Sequence, residues 1–254
     1  MIVTYVIFLC LASFSQASTA ETTTYCSIKQ YTAVQVGIQS NSGNVAMTGR
    51  HRSLSAFDYV NERYYTNYTL FPVDSTAKTV GYELIMDIQN NANYMIQNGE
   101  CRKYRLTEQL QSSFTSCFNG VMSPESTSYL GGFKDSSNAI NQETFRMDLD
   151  DEWVTGQMWL TYTKNSDDPD ETYLLLREEM LGSLQLSDSS ELISFSSEYV
   201  DYVPEVDEKK FVIPSNCPEE YDSGNFDGHD IHRRSLSTKS FQAARYAALK
   251  LRTP

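Results

Sequence analysis

The chain holds 3 histidines, His51, His229 and His232. Two of them fall in a polar stretch near the C-terminus, so only His51 could serve a Ser-His-Asp or Cys-His arrangement. A single histidine in a strand-like run is ordinarily a surface or core residue. G-x-S-x-G, HExxH, P-loop and dinucleotide fingerprints are all absent from the sequence. A carboxylate pair for glycoside hydrolysis has no local signature, and 33 acids give no basis for choosing one. Two acidic clusters have the composition of a calcium site. One is Asp148-Leu149-Asp150-Asp151-Glu152, and the other is Asp167-Asp168-Pro169-Asp170-Glu171. Calcium takes several hard oxygens, and Asp148, Asp150, Asp151, Asp167, Asp168 and Asp170 supply them on turn-like segments. Neither cluster fits the EF-hand loop, so weak binding is the most this pattern predicts. The residues that could do chemistry therefore point to binding and not to an enzyme.

The cysteines are read together with the compartment. Residues 2–14, IVTYVIFLCLASF, are uncharged and mostly apolar, and two small-x-small steps follow at Ser15-Gln16-Ala17 and Ser18-Thr19-Ala20. This reads as a signal peptide over residues 1–20, too short to span a bilayer, although no Lys or Arg precedes it. Cleavage removes Cys10 and leaves Cys26, Cys101, Cys117 and Cys217. An even number in an oxidising compartment predicts two disulfides, and three pairings are open from the residues alone. Without CxxC spacing, a zinc site is not expected. Asn67-Tyr68-Thr69 is an N-x-[ST] sequon and a candidate glycosylation site at Asn67. The expected location is extracellular, with no further apolar stretch for a transmembrane segment.

The formal charge is −13. From Pro218 onward there are 5 acids and 6 bases, so the part before it carries the acidity. An acidic body lacks the basic face that nucleic acid requires. The segment from Tyr25 to Cys217 is rich in Tyr, Phe, Thr, Ser and Val, with turn signals at short intervals, which predicts an all-β domain of antiparallel strands. Thr32–Gln39 alternates, with Ala33, Gln35 and Gly37 on one face and Val34, Val36 and Ile38 on the other. Arg50–Tyr59 and Tyr64–Phe71 read as a hairpin. Tyr82–Ile88 leads into Ala92–Leu106, a second hairpin around Asn98-Gly99. Phe145, Met147 and Leu149 share a face, as do Met158, Leu160 and Tyr162. Thr172–Leu176, Leu184–Leu186 and Leu192–Val200 are further strand candidates, and Leu176–Leu181 suits a short helical turn. Residues 218–236 read as an acidic, polar linker. Residues 237–254 read as a basic amphipathic helical tail.

Four of these fragments, in this order, resemble the ependymin-related proteins. Phe57-Asp58-Tyr59-Val60-Asn61-Glu62-Arg63 is similar to that family's [YF]-D-x-x-N-x-[RK] hairpin. Tyr94–Cys101 resembles its strand-turn-strand ending in cysteine. Tyr129-Leu130-Gly131-Gly132 resembles its mid-chain glycine step, and Phe211–Cys217 its closing F-x-x-P-S-x-C. The sequence departs from the family after Cys26, where Pro, Trp and Gly are missing. A mid-chain cysteine near Lys164–Pro169 is absent, whereas Cys117 is present, as in some invertebrate relatives. The resemblance spans Cys26 to Cys217, within an expected β domain of residues 21–217, and suggests a divergent member.

The resemblance implies Cys101–Cys217, which leaves Cys26–Cys117. It also implies two curved antiparallel sheets stacked around an apolar pocket, a half-barrel like that of bacterial lipoprotein carriers. Phe145, Met147, Met158, Leu160, Tyr162, Leu174 and Leu176 are candidates to line that pocket. The expected function is a secreted, non-enzymatic glycoprotein that binds a lipid or other hydrophobic small molecule, with Ca2+ and homodimer formation as family associations. The alternative is an acidic extracellular-matrix or biomineral-associated protein that holds calcium.

Overall fold

The computed structural model describes residues 24–226, apart from 44–46, 107–110, 112–113, 115, 120–122, 131–139, 151–153, 165–171, 186–189 and 223–224. The expected signal peptide, the helical tail and Gly131-Gly132 lie outside the described residues. So does most of the expected linker. Within strands, nothing is described of the Met147 and Asp150 side chains.

The described chain is all-β. β1 (Thr24–Cys26) stands apart from the main sheet. β2 (Gln30–Asn41), β3 (Gly49–Asp58), β4 (Arg63–Pro72), β5 (Val80–Asp87), β6 (Ala92–Gln97) and β7 (Glu100–Leu106) form an antiparallel meander. β8 (Cys117–Asn119) pairs with β1 in a small two-stranded sheet. A second meander follows: β9 (Ser123–Leu130), β10 (Ile140–Asp150), β11 (Val154–Lys164), β12 (Tyr173–Gln185) and β13 (Ser190–Val203). The meanders join along β2 and β13, antiparallel from Ile193↔Asn41 to Val203↔Thr32. The result is one continuous 12-stranded sheet, ending at β7 with the short parallel strand β14 (Asn225–Phe226).

Local chemistry explains the hairpins. Asn98 and Gly99 have φ of 54° and 81°, the two left-handed positions that a two-residue type I′ loop needs. Gln97 and Glu100 flank this loop as a register pair. The expected helical turn at Leu176–Leu181 is instead the middle of β12. Arg177–Leu181 pair with β11 on one side and β13 on the other, and this pairing overrides helix propensity. The separate strand expected at Leu184–Leu186 starts within this same strand.

Both disulfides form with the pairing that the resemblance implies, Cys26–Cys117 and Cys101–Cys217. The first lies directly across the β1–β8 pair. The second ties the second strand of the Asn98-Gly99 hairpin to the closing segment. That segment lies over β3–β6, where Phe211 packs with Ala56, Tyr65, Ile85, Ala92 and Tyr94. A 3₁₀ turn, Glu208–Phe211, presents Phe211, and Asp207 caps it by accepting from the Lys209 amide. The chain stays docked beyond Cys217. The Asp222 amide donates to the Lys103 carbonyl, and Tyr221 lies under Lys103 and Arg105. The first part of the expected linker is therefore held against β7 by these cation–π contacts and the backbone bond.

Cys101–Cys217 closes a sequence separation of 116 residues. Replacing both cysteines by alanine is expected to lower the unfolding free energy by about 2–5 kcal/mol. Urea unfolding of the oxidised protein and the double variant measures this.

Candidate functional site

Strand register places a long row of side chains on one face of the sheet. On the first meander it carries Tyr64, Tyr68, Tyr82, Leu84, Met86 and Met95, all buried in one cluster with Tyr104 and Leu106. On the second meander the same face carries Phe145, Met158, Leu160, Met180 and Phe195, also buried. Four of the expected pocket residues are thus brought together. Phe145 and Leu160 are register partners, and the Phe145 and Tyr162 rings meet edge-on at 6.0 Å. Phe145, Leu160 and Tyr162 are each 1% exposed. Met147 is the register partner of Met158.

Leu174 and Leu176 do not join this row and stay half-buried. A register shift at Thr161/Tyr162 makes Leu175 the partner of Tyr162 and Leu174 the partner of Thr163, and Leu176 has no register partner on β11. This irregularity turns Leu175 toward the cluster of Tyr31, Ala33 and Tyr199. Simple alternation along β12 misses it, because the inserted residue reverses the face of everything before it.

Between the two apolar regions runs a buried polar belt on β2, β3, β4, β12 and β13. His51 Nε2 lies 2.9 Å from Ser197 Oγ. Ser53 donates to Gln35 at 3.1 Å, Ser55 to Thr66 at 3.1 Å, and Tyr199 to Glu178 at 2.7 Å. Ser197 and Glu178 are register partners. A serine, a histidine and a carboxylate thus share one neighbourhood. The Glu178 carboxylate, however, accepts from Tyr199, and the imidazole packs tightly over Gly37, where a Cβ would stand 2.8 Å from His51 Cε1. The imidazole also stacks on Tyr68, with ring centroids 5.7 Å apart. This belt is a cross-linked internal layer. Nothing local in the sequence marks it, since its members come from five strands, Thr66 of β4 included.

On the opposite face, a second polar cluster orders the β3–β4 turn. The Asp58 carboxylate is fully buried. It accepts from Gln30 at 2.8 Å and from the Asn61 amide and side chain at 3.0 and 2.8 Å. Arg63 also donates to it and forms an ion pair with it. Burial pushes the Asp58 carboxyl up, but the bonds from Asn61, Arg63 and Gln30 outweigh it and bring the pKa down to about 2. Arg63 donates onward to Glu208 at 2.9 Å, and its guanidinium lies 4.3 Å from the Phe211 ring centroid. A shallow polar cleft beside it is lined by Asn61, Arg63, Asp87, Gln89, Asn90 and Glu208.

The expected calcium ligands are only partly in view. Asp148 is exposed, accepts from Gln157 at 3.2 Å and lies 3.7 Å from Arg146. Asp150 ends β10. Asp151, Asp167, Asp168 and Asp170 lie outside the described residues. Among the described residues, no three His, Cys, Asp or Glu side chains group as metal ligands. Asn67 lies within β4, half-buried, and its Nδ2 donates to Glu83 at 3.1 Å. Among the described residues no helix is long and apolar enough to cross a membrane. The chain matches no protein-family model and no curated protein sequence.

Asp58 gives a pH prediction. Its folded pKa is about 2, below the unfolded value of 3.8, so its contribution is complete above about pH 4 and is lost as pH falls toward 2. Asp58→Asn is expected to cost about 2 kcal/mol at pH 7 and to flatten the acid limb of stability. Denaturant unfolding of both proteins between pH 2 and 7 checks it. An unchanged acid limb would mean that another carboxyl governs it.

Proposed function

We propose that this chain is a secreted, non-enzymatic carrier of a lipid or similar apolar small molecule, and a divergent relative of the ependymin-related proteins. In this reading the sheet bends so that the inner faces of the two meanders cover each other around the ligand. The observation that carries it is the shared burial of one face. Tyr68, Leu84 and Met86 on the first meander, and Phe145, Leu160 and Met180 on the second, lie on the same side of one continuous sheet, and all are buried. A flat sheet would expose them.

The lining composition suits a carrier. Met86, Met95, Met158 and Met180 all belong to this face, and unbranched thioethers adapt to irregular apolar shapes. An acyl chain that removes about 400 Å² of apolar area from water gains about 10 kcal/mol before association costs. The family reading draws support from where its motifs lie. The Phe57–Arg63 hairpin and the Phe211–Cys217 closure are distant in sequence, yet Arg63 reaches Glu208 and Phe211. Two disulfides fit an oxidising, extracellular setting.

The test is to express the chain in a secreting host, purify it without detergent, and compare native with denaturing mass spectra. The carrier reading expects an extra mass of one lipid that denaturation releases, or uptake of a fluorescent acyl probe by the empty protein. A clean protein mass with no uptake overturns it. Calcium-dependent assembly or mineral adsorption in its place would favour the matrix role.

A further inference from the structure

Asn93 lies on the inner face of β6, within the apolar region of the first meander. Its register partners are Met86 on β5 and Tyr104 on β7, and Met95 follows it on the same face. The side chain is fully buried, at 0% exposure. Neither Nδ2 nor Oδ1 has a hydrogen-bond partner among the described residues. An unpaired amide inside an apolar face opposes folding, and a leucine there would avoid the cost. The nearby polar groups do not relieve it. Arg102, partner of Met95 across the β6–β7 pair, is hydrogen-bonded to Tyr104 and lies 3.8 Å from Glu100.

We propose that the Asn93 carboxamide is the recognition point for the head group of the carried ligand, and that this head group is neutral and both donates and accepts a hydrogen bond, as an alcohol does. This inference rests on the carrier reading. An amide presents one acceptor and two donors, so a hydroxyl satisfies Oδ1 and Nδ2 together. A carboxylate accepts only. It would leave Oδ1 unpaired and bring a charge into a mostly apolar region, where Arg102 on the same face is already engaged by Tyr104 and Glu100. A plain hydrocarbon leaves both atoms unpaired. The ligand class is therefore a long-chain alcohol or another hydroxyl-bearing lipid.

The experiment displaces a fluorescent acyl probe from the full secreted chain with dodecanol, dodecanoate and dodecane, using wild type, Asn93→Leu and Asn93→Ser. Thermal unfolding of each ligand-free protein is recorded alongside. Wild type is expected to prefer dodecanol at least 10-fold over the other two. Asn93→Leu is expected to lose that preference, still take up the probe, and unfold no earlier than wild type. Asn93→Ser, which keeps a donor and an acceptor, retains part of the preference and covers the case of a leucine variant that fails to fold. Equal ranking of the three competitors by wild type overturns the inference while leaving the carrier reading intact. The same holds for a dodecanol preference that survives both substitutions. Failure of wild type to take up the probe overturns both.

Discussion

A single buried carboxylate sets the geometry of one whole side of this molecule. Asp58 ends β3 and must remain charged, because Gln30, Asn61 and Arg63 all donate to it. Those donors come from the start of β2, the β3–β4 turn and the start of β4, so one acceptor fixes three strand ends. Arg63 then extends the cluster outward to Glu208 and Phe211, which brings the closing segment over the sheet and Cys217 to Cys101. A buried ion pair gains little net energy over an apolar substitute. Its value here is directional. The donors are satisfied in one arrangement of the turn, and the aromatic contact under Arg63 admits one position of the 3₁₀ turn.

The other side of the sheet follows a different rule. Two apolar regions flank a belt of short polar residues, where His51, Ser53, Ser55 and Ser197 replace the large side chains found to either side. Small residues leave room for their neighbours, and Gly37 lies close under the imidazole, where a Cβ would not fit. The belt centres on the seam strands β2 and β13 and their immediate neighbours. Hydrogen bonds between side chains of different strands hold these strands in register. A slip of β3 by one residue would turn Arg52 inward and expel His51, leaving Ser197 without its partner.

Much of the strand layout was legible because it rests on local rules. Asn98-Gly99 demanded a hairpin, and alternation at Phe145, Met158 and Leu160 found a buried face. β2 shows where that logic fails. Its apolar set, Val34, Val36 and Ile38, faces outward, with Ile38 60% exposed, and the face bearing Gln35 is the buried one. Alternation gives the period of a strand and not which face the rest of the chain covers. The burial of β6 on both faces was opaque for a related reason. Residues far downstream cover its outer face, so Ala92, Asn93, Tyr94 and Met95 are all buried and no alternation remains. The reversal at Leu175 depended on a bulge, whose extra residue carries no recognisable type. Asp58 and Arg63, by contrast, were visible within a motif, but Arg63's second partner Glu208 was not, since an ion pair across 145 positions leaves no local trace.

The seam between β2 and β13 also governs how the chain must be made. Each meander is built from neighbours in sequence, so each can zip up as its residues emerge. β2 is the exception, an early strand whose second neighbour is nearly the last to arrive. Until residue 203 has emerged, one edge of β2 stays open and able to pair with any passing strand. Cys101 waits still longer for Cys217, and the two cystine loops interleave along the chain. A nascent chain of this design has a long interval in which its most hazardous edge and its thiols are exposed together. Protection of that edge and ordered pairing of the thiols are therefore as much a requirement of this topology as the residues that hold the finished sheet.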